Sequence, residues 1–167
     1  TDGAPARASG YRVMRAHSIE ELADAARIRW TVFSEAMCLQ TEWARDYGLP
    51  QDPFKCAAMA SGLYDLAPLR YSYLQPRIQL TEETVRRCSP VLHVRPSPTP
   101  VLLTWGGLEQ PEFARQTMAW HDAWRAAGNH AELLDQPQAH HFSAIHGFED
   151  PASALCDWLV AALSRSC

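Results

Sequence analysis

The sequence predicts an α/β fold, a parallel sheet flanked by helices, and three observations carry that expectation. Two short, almost wholly apolar runs, Ala57 to Ser61 and Val101 to Trp105, have the composition of strands covered on both faces. Stretches of helical periodicity separate and follow them, so strand and helix alternate along the chain. Glycines and prolines stand at the joints, where the chain has to turn. Alternation of this kind joins neighbouring strands in parallel through right-handed crossovers.

Taken in order, Thr1 to Gly10 is rich in Ala, Gly and Ser and is expected to be disordered. It has Arg7 but no apolar run of about 7 to 15 residues behind it, so it lacks the form of a secretory signal and a cytoplasmic setting is expected. Tyr11 to Ala16 alternates apolar and basic residues as a short strand does. Ser18 and Glu21 then make a capping box, each side chain able to satisfy an orphan backbone N–H. Leu22, Ala25, Ala26, Ile28 and Val32 continue that helix to about Met37. Gly48, Pro50, Asp52 and Pro53 mark a loop, because proline fixes φ and removes a donor. After Ala57 to Ser61 the chain is irregular from Asp65 to Pro100, apart from a short helix from Thr81 to Arg87, and four prolines lie between Pro90 and Pro100.

Val101 to Trp105 ends in Gly106 and Gly107. Pro111 to Ala127 has helical spacing through Phe113, Met118, Trp120 and Trp124, with Gly128 where a left-handed helix end belongs. His130 to Leu134 reads as a third strand. Asp150 is placed to cap a last helix with Pro151 in its first turn, and Leu155, Trp158, Leu159, Ala162 and Leu163 form its apolar stripe. No internal repeat with a period of roughly 20–50 residues is present.

Composition removes several function classes. The chain has 167 residues, room for one ordinary globular core but not for two complete domains. Its 15 basic and 19 acidic side chains give a net charge of -4 and no clustered Lys and Arg to face a phosphate backbone, so nucleic acid is not expected as a partner. The longest apolar stretches fall far short of the roughly 20 residues that cross a bilayer, and no membrane association is expected. Five cysteines at wide, irregular spacing (Cys38, Cys56, Cys88, Cys156 and Cys167) match neither a disulfide framework nor a zinc site, and read as structural thiols.

Ligand sites in parallel sheets lie beyond the carboxyl ends of the strands. Three loops qualify: those after Ser61, after Trp105 and after Leu134. The second holds Glu109 and Glu112, and the third holds His140, His141 and His146. A carboxylate after one strand and a histidine after the next can meet at the top of the sheet, where the acid fixes the imidazole tautomer and stabilises the imidazolium. From spacing alone, a solvated glutamate and a histidine packed or capping locally is the plainer reading, and either glutamate could face the histidine. The adjacent His140 and His141 have the wrong spacing for two ligands on one helical face, so no metal is expected, and nothing in the sequence calls for a cofactor.

The residues from Met37 to Ser164 carry a resemblance. Ser61-Gly62-Leu63-Tyr64-Asp65-Leu66, Pro68-Leu69, Leu80-Thr81, Ser89-Pro90, Gly106 to Glu109, Pro111-Glu112-Phe113, Arg115-Gln116 and His141-Phe142, in this order, resemble the carboxyl half of α/β-hydrolases of the arylformamidase and carboxylesterase-like group. The resemblance implies a partial α/β-hydrolase-type sheet over residues 37–167, hydrolysis of ester or formamide-like amide bonds of small molecules, His141 as general base and Glu109 in the place of the family's acid, which is usually Asp. The family's nucleophile elbow, Gly-x-Ser-x-Gly, and its His-Gly-Gly oxyanion loop are both absent from these 167 residues. Ser34 is the nearest serine to the elbow's place, but Val32 and Ala36 stand where the glycines should be, within a helical pattern. Residues 11–36 diverge from the hydrolase pattern, and Tyr11 to Phe33 faintly resembles the first strand and helix of acyl-CoA N-acyltransferases without their phosphate loop. Two functional expectations follow. One is a hydrolase whose nucleophile comes from elsewhere, and the other is a non-catalytic module that associates with itself or with a complementary chain through the open edge of the strand Ala57 to Ser61.

Overall fold

Three strands, β1 (Ala57–Ala60), β2 (Val101–Gly106) and β3 (Ala131–Gln136), form one parallel sheet in sequential order. Ala57 stands opposite Val101, Val101 opposite Ala131, and Gly106 opposite Gln136. The computed structural model describes residues 35–165. The expected strand at Tyr11 to Ala16, the capping box of Ser18 and Glu21, the acyltransferase-like stretch, Ser34 and Cys167 all lie outside the described residues.

The middle strand explains the architecture. Val101 and Leu103 are fully buried, and Leu102 and Thr104 nearly so. Side chains alternate across a strand, so Val101 and Leu103 enter one apolar cluster and Leu102 the other. The described helices are α1 (Glu35–Gln40), α2 (Trp43–Tyr47), α3 (Gln75–Ile78), α4 (Glu82–Cys88), α5 (Pro111–Ala126) and α6 (Ala154–Arg165). On the first face, α1 and α5 bring Ala36, Leu39, Trp120 and Trp124 against Met59, Tyr64, Val101 and Leu103. Trp120 stacks on Trp124 with ring centroids 4.7 Å apart and on Tyr64 at 5.3 Å. Such aromatic pairs contribute about 0.5–1.5 kcal/mol each beyond their burial. On the second face, α6 (Ala154–Arg165) presses Leu155, Trp158 and Ala162 onto Leu102.

Thr104 is the one polar side chain of β2, and its bonds are met. Its Oγ1 donates to the Leu134 carbonyl at 2.7 Å and accepts from Gln136 Nε2 at 2.7 Å. Gln136 Nε2 also donates to the Ala144 carbonyl at 2.9 Å, which ties the chain beyond β3 back to the middle strand. Asn129, just past the left-handed Gly128, does the same below the sheet. It donates to the Arg95 carbonyl and accepts from the Ser97 amide, both at 2.8 Å, so the proline-rich approach to β2 is pinned to the end of α5.

Several expectations change on contact with the structure. β1 is an edge strand of the described sheet, and only Met59 in it is fully buried, so the double coverage expected of Ala57 to Ser61 is partial. The third strand runs two residues further than expected, to Gln136. Met118 is 39% exposed, while Gln116 and Thr117 take the buried positions of α5. The reason is angular: at about 100° per residue, 113, 116, 117, 120 and 124 share a stripe that 118 does not. The last helix starts at Ala154 rather than at Pro151. Asp150 instead accepts from the Ala152 amide at 3.0 Å in a local turn, and Ser153 Oγ takes the amide of Cys156 at 3.1 Å, which makes Ser153 the cap. Leu163, expected in the apolar stripe, is exposed. The short helix α4 (Glu82–Cys88) does begin at Thr81, whose Oγ1 accepts from the Thr84 amide at 3.0 Å. The expected structural thiols are not sealed in the core: Cys56, Cys88 and Cys156 are free and half-buried, and burial pushes the Cys56 thiol up. No helix among the described residues is long and apolar enough to cross a membrane.

Candidate active site

The loops that leave β2 and β3 touch because glycine lets them. A Cβ on Gly106 would fall against the Ala139 carbonyl, and one on Gly107 would lie 2.6 Å from Pro137 Cα. With those positions bare, the Gly107 amide bonds the Gln136 carbonyl at 2.9 Å and the Leu108 amide bonds Ala139 at 3.0 Å. The Glu109 amide turns back onto the Gly106 carbonyl at 3.0 Å. Glu109 is thereby set in the short turn between β2 and α5, with its side chain directed under the β3 loop.

Glu109 is 1% exposed at its side chain, and three donors surround its carboxylate. Oε1 accepts from the Gly106 amide at 2.7 Å and from Ser61 Oγ at 2.5 Å. Oε2 lies 2.9 Å from His141 Nδ1. An ionised carboxylate has only lone pairs to offer, so Nδ1 carries the hydrogen in this pair and Nε2 keeps its lone pair free. His141 is 52% exposed, so the pair runs from a buried acid to an open imidazole. Phe113 and Phe142 flank the ring, with centroids 5.1 Å and 5.6 Å away. An open depression of about 440 Å³ lies over it, lined by Leu108, Glu109, Gln110, His140, His141 and Phe142. An imidazole held in one tautomer by a buried acid, in a half-exposed ring that lines an open depression, can take a proton from an attacking group and return it to a leaving group.

Of the two glutamates, it is Glu109 that meets the histidine. Glu112, in the first turn of α5, accepts from Arg115 Nη2 at 2.5 Å and from Gln116 Nε2 at 2.9 Å. The Arg115 guanidinium holds the Glu112 carboxyl below its ordinary value. His140 is engaged locally: its Nδ1 accepts from the Phe142 and Ser143 amides at 3.2 and 3.3 Å, capping the turn that follows. His146 is exposed within that turn. No group of three or more His, Cys, Asp or Glu among the described residues is arranged to hold a metal ion.

Two contributors escape sequence reasoning. Gln116 is buried on α5, and its Oε1 accepts from the Tyr64 and Asp65 amides at 2.8 Å each, fixing the loop after β1. Ser61 closes β1 and reaches a carboxylate 48 positions away. The available signal for it was modest: a serine at the carboxyl end of a strand, beside the strand that bears the acid.

No family model matches the sequence. Among curated proteins, kynurenine formamidase of Danio rerio is 29% identical over 136 residues, 78% of this chain and 46% of that protein. Kynurenine formamidase of Salmo salar is 29% identical over 137 residues, with the same shares covered. The chain thus spans about half the length of the curated relatives it matches. Among solved structures, a candidate thioesterase of Silicibacter sp. superposes with a TM-score of 0.52 at 25% identity, covering 61% of this chain and 37% of that one. Acylaminoacyl peptidase of Pyrococcus horikoshii gives a TM-score of 0.55 at 18% identity over 75% of this chain and 22% of that one, a likeness of fold alone. In sequence and fold the chain is thus similar to the arylformamidase and esterase-like group of α/β-hydrolases.

Proposed function

We propose that residues 37–167 are the part of an α/β-hydrolase that supplies acid and base for cleaving ester or amide bonds of small molecules, formamides being the sharpest case. The observation that carries this reading is the 2.9 Å contact between buried Glu109 and open His141. His141 Nε2 takes the proton of an attacking hydroxyl and later gives it to the leaving oxygen or nitrogen, while Glu109 holds the tautomer and offsets the imidazolium charge. The nucleophile and the donors for the tetrahedral oxyanion come from outside this pair. Neither a Gly-x-Ser-x-Gly turn nor a His-Gly-Gly loop occurs in the 167 residues. Removing the nucleophile of a triad leaves only the rate due to binding and oxyanion contacts, so these residues alone should show little turnover.

A chromogenic acetate ester and an N-formyl aromatic amine test the reading, assayed with the 167-residue chain and with the longest polypeptide its gene encodes. Turnover is expected only where a Gly-x-Ser-x-Gly turn is supplied, and His141→Ala should abolish it. Hydrolysis that survives His141→Ala refutes the base assignment.

A second reading is favoured by the outer edge of β1, which pairs with no strand among the described residues. An open row of backbone donors and acceptors invites a second copy or a complementary half, and the module then serves by association. A clean monomer at micromolar concentration in light scattering counts against it.

A further inference from the structure

We propose that Ser61 is a positioning residue for the Glu109 and His141 pair, its hydroxyl clamping the Glu109 carboxylate so that Oε2 faces His141 Nδ1. The inference rests on reading that pair as acid and base, and adds a third loop to it.

The backbone supplies the first observation. Ser61 has φ of 52°, in the left-handed region that is unfavourable for an L-residue and costs glycine almost nothing. Gln79, at φ 49°, shares this conformation among the described non-glycine residues, but it ends a helix, where a left-handed residue is commonplace. Ser61 ends a strand. Its amide donates to the Thr104 carbonyl at 2.8 Å, so the strained residue is anchored to the middle strand and cannot relax by drifting. A position whose backbone favours glycine carries a hydroxyl instead, and strain of that kind points to what the side chain does.

The bond inventory supplies the second. Of three donors on the buried carboxylate, Gly106 N–H and Ser61 O–H share Oε1, and His141 takes Oε2. With the Gly106 amide alone on Oε1, the carboxylate is free to turn about its last bond and carry Oε2 away from the imidazole. Two donors on one oxygen, from different loops, fix the plane. Ser61 is not placed as the nucleophile: its proton goes to the acid rather than to the base, which reverses the order a nucleophile needs.

The test reads the tautomer of His141 directly and needs no turnover. In the 167-residue chain, imidazole ¹⁵N shifts are recorded at about pH 8.5, roughly two units above the ordinary histidine value. Four proteins are compared: wild type, Ser61→Gly, Ser61→Thr and Glu109→Gln. Ser61→Gly removes the hydroxyl and relieves the backbone, so it should lose Nδ1–H tautomer while melting close to wild type. Ser61→Thr keeps the hydroxyl on a β-branched residue that resists this φ, so it should hold the tautomer and melt lower. A merely structural serine predicts the opposite split, with the tautomer unmoved in Ser61→Gly. In the longest polypeptide its gene encodes, if that hydrolyses the ester, Ser61→Gly should lower kcat/KM by about 10- to 100-fold, the fold-change of one lost bond to a buried charge. An unchanged tautomer in Ser61→Gly beside a shifted one in Glu109→Gln overturns the role of Ser61 alone. A tautomer unchanged in both overturns the acid and base reading itself.

Discussion

Glu109→Asp separates what the family resemblance implies from what the geometry requires. If the position were an ordinary acid site of that family, where Asp is usual, the shorter side chain should be neutral or better. In this structure the carboxylate is reached by donors at 2.5, 2.7 and 2.9 Å. Useful hydrogen bonds end near 3.2 Å for N–H donors and 3.0 Å for O–H donors, so each of these bonds has roughly 0.3–0.5 Å of slack. Removing one methylene draws the carboxylate back by about 1.5 Å, a full carbon–carbon bond. The Gly106 amide lies in Glu109's own turn and can be kept, but Ser61 and His141 belong to other loops and cannot follow.

The expected result is a buried carboxylate with one donor instead of three. Leaving a buried charged acceptor short of partners costs about 1.5–3 kcal/mol. At a urea m-value near 2 kcal/mol/M this lowers the unfolding midpoint by about 1 M. Tryptophan fluorescence follows the transition, since Trp120 and Trp124 lie in the core over the same sheet. Imidazole ¹⁵N shifts of the same variant should show His141 released from its tautomer. A Glu109→Asp protein with the wild-type midpoint and the wild-type His141 signals would refute the reasoning, because the length of the glutamate stem would then be idle.

The other two predictions concern what surrounds that carboxylate. Gly106→Ala places a methyl against the Ala139 carbonyl and 3.1 Å from Glu109 Oε1, so the β3 loop must yield; a loss of about 1–3 kcal/mol in urea unfolding is expected, with the His141 tautomer disturbed, and a fully wild-type profile would mean the two loops do not touch as described. Glu112 is held below its ordinary value by Arg115, so its contribution to stability is present above the unfolded value near 4.5 and is lost as pH falls through the lower folded value. Its side chain is 39% exposed, and solvent screening limits the effect to about 0.5 kcal/mol or less. Glu112→Gln should therefore make the melting temperature fall slightly less steeply below about pH 4.5, and an unchanged acid limb would remove the pair from the stability account.

How far the chain could be read without its structure follows from the range of each signal. β2 was legible because a strand covered on both faces is apolar along its length, and Val101 to Leu103 meet that condition by burial as well as by composition. β1 has the same composition but lies at the edge of the described sheet, and sheet order is not written in a local run. Asp150 and Ser153 are both good caps three residues apart, and the choice fell to Ser153 because Asp150 was already engaged in its own turn. The proximity of Glu109 and His141 was foreseeable from topology, since neighbouring parallel strands deliver their loops to the same end. Preference for Glu109 over Glu112 was not, because it depends on where α5 begins: Glu112 is inside the helix and committed to Arg115 and Gln116. Ser61 was the least legible, since its meaning depends on a left-handed backbone and a contact across 48 positions.

The site is graded across the sheet, and the gradient bears on how it can work. Every donor to the acid comes from the described residues: Ser61 from the loop after β1, Gly106 from the end of β2 and His141 from the loop after β3. The acid needs nothing from a nucleophile-bearing segment to be fixed. A carboxylate sealed in a low-dielectric turn acts on the imidazole with little screening, whereas the imidazole, half in solvent, can meet a group delivered from outside. On the proposed reading of His141 as general base, the base is assembled before a nucleophile meets it, and the free energy of that docking goes into aligning one hydroxyl with the imidazole rather than into ordering three loops. Preorganisation of that kind lowers the entropic cost of such an encounter, because the Glu109 and His141 contact is already fixed by three loops of the described sheet.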